Sequence, residues 1–271
     1  MSGLSSLMGQ LSILAAESDS PVPFPDIADI VIWPAAFGEG QWYEFNKIGL
    51  ISIISFVVPA LLFFLAGRNA KLVPSGFQNL METGVDFVEK QIIEPAIGRD
   101  GMRYLPMLIS MMFFIWVGNL FEILPTANMP SNARMANPLI LALVALVMFV
   151  GVGLKHHGLG YIKEVLFPPG VPKLLYILVT PIELLSTFLI RPFSLAVRLF
   201  ANLLAGHILL VTFAVLTIAT FSLTPLIAVS ALTFPLLIAF FLFEFMVAFL
   251  QAFIFALLTA VYIGSSLHPA H

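Results

Sequence analysis

The sequence predicts an all-α polytopic membrane protein, and three observations carry that prediction. Of 271 residues, 60% are hydrophobic and only 10% are charged. The mean hydropathy is +1.03. The apolar residues also fall into runs about as long as the ~20 residues that cross a bilayer. No soluble domain has that balance. The expected architecture is five membrane-crossing or tilted intramembrane helices plus one amphipathic surface helix, closing in a long tilted C-terminal hairpin. No polar stretch is long enough to fold separately, so residues 47–271 read as a single membrane domain behind an acidic segment, 1–46. Cysteine is absent, which excludes disulfides, thiolate metal sites and thiol catalysis. The net charge of −3 implies nothing about nucleic acid, and no nucleic-acid partner is expected.

Residues 1–16 are mildly apolar but hold no Lys or Arg, so the charged start of a signal peptide is missing. Six carboxylates follow (Glu17, Asp19, Asp26, Asp29, Glu39, Glu44) with no basic residue up to position 46. An acidic, base-free segment before the first span suits the outer side of the membrane. Trp33, Trp42 and Tyr43 are expected at that interface.

The first span is expected over about 48–66, with a kink at Pro59. Arg68 and Lys71 mark an inner loop after it. Over 76–95 the pattern changes. Phe77, Leu80, Met81, Val85, Val88 and Ile92 keep helical spacing, with Glu82, Asp86, Glu89 and Lys90 on the other face. That predicts a helix lying on the inner membrane surface. Further spans are expected over about 104–124 and 139–154, joined by a short outer loop. An inner loop follows with Lys155, His156, His157, Lys163 and Lys173. Adjacent histidines point in different directions from a helix, so no metal site is expected there.

The rest of the chain holds two apolar arms, 174–221 and 226–264, separated near Ser222–Pro225. Each is longer than an upright crossing needs, so both are expected to be strongly tilted or only partly immersed. Eight of twelve Lys and Arg fall in inner segments, two in outer ones (Lys47, Arg134) and two inside the hairpin. That bias predicts an outer N-terminus and an inner C-terminus.

Within the hairpin, Arg198 has no acidic residue within fourteen positions on either side. A guanidinium cannot shed its proton on burial, so its cost at mid-membrane is at least ~2.5–3.5 kcal/mol and a functional role is the default. The other ionisable groups are Glu183, Arg191, His207 and Glu244, with Asn202 and Gln251 as neutral partners. Centred on Pro225, His207 lies eighteen residues before the turn and Glu244 nineteen after, so the two should share one depth. Arg198 and Gln251, twenty-seven before and twenty-six after, should share another, roughly 12 Å away. His207 is nine residues from Arg198 and should not share its exposed face. The His207–Glu244 pair reads either as a proton relay or as a structural hydrogen bond. Glu183 either serves an ion path or pairs with Arg191. No nucleotide-binding or hydrolase motif is present, and neither cofactor nor metal is expected.

The run Pro192-Phe-Ser-Leu-Ala-Val-Arg198-Leu-Phe-Ala-Asn202-Leu-Leu-Ala-Gly206-His207 resembles subunit a of the F-type ATP synthases, the stationary ion-channel subunit of the membrane sector. The resemblance continues in Leu250-Gln251-Ala-Phe-Ile-Phe-Ala-Leu-Leu-Thr-Ala-Val-Tyr262-Ile. Asn119-Leu-Phe-Glu122-Ile-Leu-Pro125 and Pro181-Ile-Glu183 add weaker support, and with the span pattern it covers residues 45–267. The acidic N-terminal forty residues match no pattern of that family.

The resemblance implies that Arg198 faces a rotating ring of c subunits, with Gln251 its neighbour across the hairpin. It implies further partners in b-type peripheral stalk subunits and the rest of the synthase. The implied localisation is an energy-coupling membrane, the bacterial plasma membrane first. Members often carry a glutamate at the position of His207 and a histidine at that of Glu244, while others share the order seen here. Two offset half-channels follow from the resemblance. Protons enter from outside past Glu244 and His207, with Glu122 a further candidate, and leave inward past Glu183 and Ser194. Asn202 stands near Arg198, which separates the two paths. Such a chain is not itself an enzyme. The alternative is a secondary ion-coupled transporter, which would need a repeat between the two halves of the chain. A self-contained channel would need rings of charge or carbonyls around its own pore.

Overall fold

A computed structural model describes residues 46–68, 70–124, 132, 134–158, 160–167, 172, 175–222 and 227–267. The acidic segment 1–45 with Trp33, Trp42 and Tyr43, the Pro225 turn and Lys173 lie outside these. Among the described residues every regular element is helical. Five helices among the described residues are long and apolar enough to cross a membrane. The chain divides into two compact units, one of residues 46–204 with 245–267 and the other of Ala205–Glu244.

In the first unit, α1 (Lys47–Arg68) starts where Asn46 Oδ1 accepts the amide of Gly49 at 3.1 Å, a side-chain cap on an orphan donor. The helix continues through Pro59. Next comes α2 (Phe77–Val88), which runs on through a wide π-helical turn (Glu89–Ile93) to Glu94–Ala96. A second wide turn, Ser186–Ile190, follows α6 (Tyr176–Leu185). Both wide turns end one residue before the start of a proline step, Glu94-Pro95 and Arg191-Pro192. A proline ring crowds the carbonyl four residues back, and widening the turn relieves that crowding. The amides of Glu94 and Arg191 accordingly reach back five residues, to the carbonyls of Glu89 and Ser186.

The amphipathic segment runs from Phe77 to Ala96, and only part of its apolar face is exposed. Phe77 and Leu80 are exposed, whereas Val88, Ile92 and Ile93 are buried in the protein core. Phe87 lies 5.8 Å from Phe249 and 5.7 Å from Phe253, ring to ring. Trp116 joins the cluster at 5.6 Å from Phe249, and Phe113 at 5.7 Å from Trp116. On the polar face, Lys90 and Asp86 pair at 2.8 Å, and that hydrogen bond raises the lysine's pKa.

A 3₁₀ turn (Arg99–Tyr104) leads into α3 (Leu105–Ile123), and α4 (Ala136–His157) returns. The fourth crossing element is Tyr176 onward, through α6 and the wide turn into α7 (Arg191–Ser222); the fifth is α8 (Ile227–Leu267). With 41 residues, α8 measures roughly 60 Å, about twice the hydrocarbon thickness. A short helix, α5 (Gly160–Leu166), was not expected from the inner loop. Gly153 has no Cβ to strike the Tyr161 ring, which is therefore seated on α4. Tyr161 Oη then lies 2.9 Å from Ser266 Oγ, and His157 Nε2 lies 3.1 Å from the carbonyl of Leu267. These contacts hold the C-terminal end of α8.

The core owes its tightness to small residues on α8. Ala248, Ala252, Ala256, Ala260 and Gly264 recur every fourth position and all are buried. Such a stripe lets helices approach closely where no water is available to drive packing. At Gly264 a Cβ would collide with the carbonyl oxygen of Ala96. Leu195, Leu199 and Leu203 of α7 share the same core cluster as Ala252, Phe255 and Ala256.

Candidate functional site

The leucines of α7 decide where its arginine points. Leu195, Ala196, Leu199 and Leu203 are buried, so Ser194, Arg198 and Ala201 fall on the opposite, exposed stripe. Asn202 sits at the edge, half-buried. Among the described residues no carboxylate pairs with Arg198. A fixed cation on an exposed stripe of a membrane helix is costly unless a partner outside the chain meets it.

Arg191 is held differently. Its guanidinium carbon lies 5.4 Å from the centroid of the Tyr262 ring, within cation–π range. The far neighbour of Tyr262 is Phe149, ring centroids 5.7 Å apart. Glu183 is half-buried and forms no ion pair with Arg191.

Toward the C-terminal end of α3, Asn119 and Glu122 are buried. Asn132 donates to Asn119 Oδ1 at 2.9 Å, and Asn119 donates in turn to the carbonyl of Ala248 at 3.4 Å. One turn further along α8, Gln251 is buried with its Nε2 unpartnered.

In the second unit, Thr217 donates to Thr233 at 3.0 Å. Both lie eight residues from position 225 (225 − 217 and 233 − 225). Gly206 and Glu244 each lie nineteen from it (225 − 206 and 244 − 225), and the Glu244 carboxylate rests on Gly206 where a Cβ would stand. Two contacts thus give one register, centred where the sequence spacing put it. His207, one residue from Gly206, is 4% exposed, as is Glu244. Neither a hydrogen bond nor an ion pair joins the two, and His207 Nδ1 and Glu244 Oε1 have no partner. A buried polar atom without a partner is expensive, so the bland alternative of a structural His–Glu hydrogen bond loses its support. Among the described residues no cluster of three His, Asp or Glu could hold a metal ion.

The family model described as ATP synthase A chain matches residues 49–264. The chain belongs to this family. It is 42% identical over 238 residues to ATP synthase subunit a of Rhodococcus erythropolis, covering 83% of this chain and 84% of that one. Against ATP synthase subunit a of Frankia alni it is 41% identical over 230 residues, with 83% and 79% covered. Against the Streptomyces lividans subunit a it is 34% identical over 274 residues, with 96% and 95% covered.

Sequence reasoning missed three contributors to these contacts. Gly206 carries no chemistry, so only its contact with Glu244 reveals it. Asn132 stands in a stretch of ordinary polar composition, and its burial is a tertiary fact. Tyr262 stands in the C-terminal run, but nothing local ties it to Arg191, seventy-one residues away (262 − 191).

Proposed function

We propose that the chain is the stationary subunit through which protons reach and leave the carboxylates of a rotating c ring in an ATP synthase membrane sector. Arg198 carries the reading. It is an exposed cation on a membrane helix, with no carboxylate paired to it among the described residues. A ring carboxylate arriving opposite it is forced to ionise, since a nearby opposite charge favours the charged form. The same charge repels a proton that would otherwise leak straight across.

Two offset half-channels follow. Protons enter from outside past Glu244 and His207, with Glu122 a further candidate, and neutralise a ring carboxylate that then faces lipid. After nearly a full turn they leave inward past Glu183 and Ser194. Asn202 and Gln251 supply neutral hydrogen-bonding groups near the arginine. The driving term is ~2.3 kcal/mol per charge per 100 mV. In this reading ATP is made elsewhere in the complex, so the chain moves protons without being catalytic. Its partners are the c ring, b-type stalk subunits and the bilayer of a bacterial plasma membrane, with the N-terminus outside and the C-terminus cytoplasmic.

Replacing Arg198 tests the proposal in inverted membrane vesicles carrying the assembled complex. Arg198→Ala should abolish proton-driven ATP synthesis and open a passive leak. Arg198→Lys should fail too, because an ammonium can deprotonate and lacks the planar fork. Normal synthesis in either variant would overturn the reading. A secondary transporter would instead accumulate a solute when the chain is reconstituted alone.

A further inference from the structure

Glu183 and Arg191 lie on one continuous helical segment with a wide turn between them. In an unbroken α-helix, residues eight apart stand well round from one another. The wide turn over Ser186–Ile190 absorbs one residue, so Arg191 comes back to the face of Glu183, two turns along. Two long, oppositely charged side chains in that arrangement reach toward each other in a medium of low dielectric. They do not pair here. The guanidinium sits over the Tyr262 ring instead, and that ring is backed by Phe149.

We infer that Tyr262 is a positioning residue for proton exit: its ring holds Arg191 and so keeps that cation off Glu183, leaving the carboxylate free to take and release protons. The inference rests on the exit role proposed for Glu183. The ring face supplies the attraction that competes with the carboxylate, and Phe149 fixes the ring's orientation. The phenolic hydroxyl is not required, since the quadrupole belongs to the ring. Lys163 and Glu164 stand on α5, which also packs on α6, where Thr180 donates to the carbonyl of Leu166 at 3.0 Å. Both are exposed, so solvent screens them more than it screens Arg191.

The test measures ATP-driven proton pumping in vesicles containing the complete complex, normalised to assembled enzyme. Tyr262→Phe should pump at the native rate. Tyr262→Leu should pump about fivefold more slowly, the weight of one partly desolvated cation–π contact. Adding Arg191→Gln to Tyr262→Leu should return the rate to within about twofold of native, because the released cation is then gone. Incorporating trifluorophenylalanine at position 262 keeps the shape while weakening the ring face, and should give an intermediate rate. That variant also decides the matter if Tyr262→Leu does not assemble. A native rate for the fluorinated ring, or a defect that persists after Arg191→Gln, would overturn the inference. Glu183→Gln separates the two levels. If it slows pumping while Tyr262→Leu does not, the exit role stands and only the positioning role falls. If Glu183→Gln pumps normally, the exit role fails and the positioning role goes with it.

Discussion

The carboxylate of Glu244 rests against the backbone of Gly206, in the space that a Cβ would fill. The glycine is therefore what lets an acidic side chain lie at the same level as His207 in a packed hairpin. Gly206→Ala should displace the carboxylate or spread the helices, at a repacking cost of about 1–3 kcal/mol. Proton flux in vesicles should fall several-fold while the complex still assembles. Gly151→Ala is the control, since nothing lies within 4 Å of a Cβ there. Equal flux in the two variants would mean that Glu244 swings aside without consequence.

Asn132 should matter for stability before it matters for rate. It is fully buried and donates to Asn119, whose amide continues to the carbonyl of Ala248. Asn132→Ala leaves the Asn119 oxygen without its donor, a loss of about 1–3 kcal/mol for a buried acceptor. Thermal unfolding of the detergent-solubilised complex should show a lower midpoint for this variant. An unchanged midpoint would mean that the acceptor finds another donor.

The hairpin register was legible because it needs only counting: polar residues are so scarce in these arms that their distances from one proline fix the pairing. The spans were legible for the same reason, as contrast between apolar runs and charged loops. The small-residue stripe Ala248–Gly264 was not. Inside a continuous apolar run alanine and glycine offer no polarity contrast, and only packing tells them from their neighbours. The wide turns were hidden too, since a proline signals strain without saying how the helix relieves it. For Glu183 the sequence left two roles open, and the partner that removes Arg191 from contention lies on another helix.

Glu183→Gln separates those roles by rate. With Arg191 seated over Tyr262, the carboxylate contributes no ion pair to the fold, so its removal should leave assembly intact. ATP-driven pumping should nonetheless slow by about a hundredfold, the low end of what a positioned proton-transfer group contributes. Unchanged pumping with reduced assembly would assign Glu183 a structural role instead.

His207 and Glu244 should behave as one unit. They lie within one residue of the same level, both buried, each with an unpartnered atom and no direct bond between them. If protons pass from one to the other, removing either leaves the second without a hand-off. His207→Ala and Glu244→Ala should each cut proton flux strongly, and the double variant should lose little more than either single, as expected for residues that share one task. The exchange His207→Glu with Glu244→His puts the same acid and the same imidazole back at the same depth. It should recover much of the flux, although Gly206 was matched to a carboxylate and the larger imidazole will crowd it. Adding Gly206→Ala to the exchange should therefore abolish the recovery. Additive single losses with no rescue on exchange would mean that the two residues work separately, whatever the register of the hairpin.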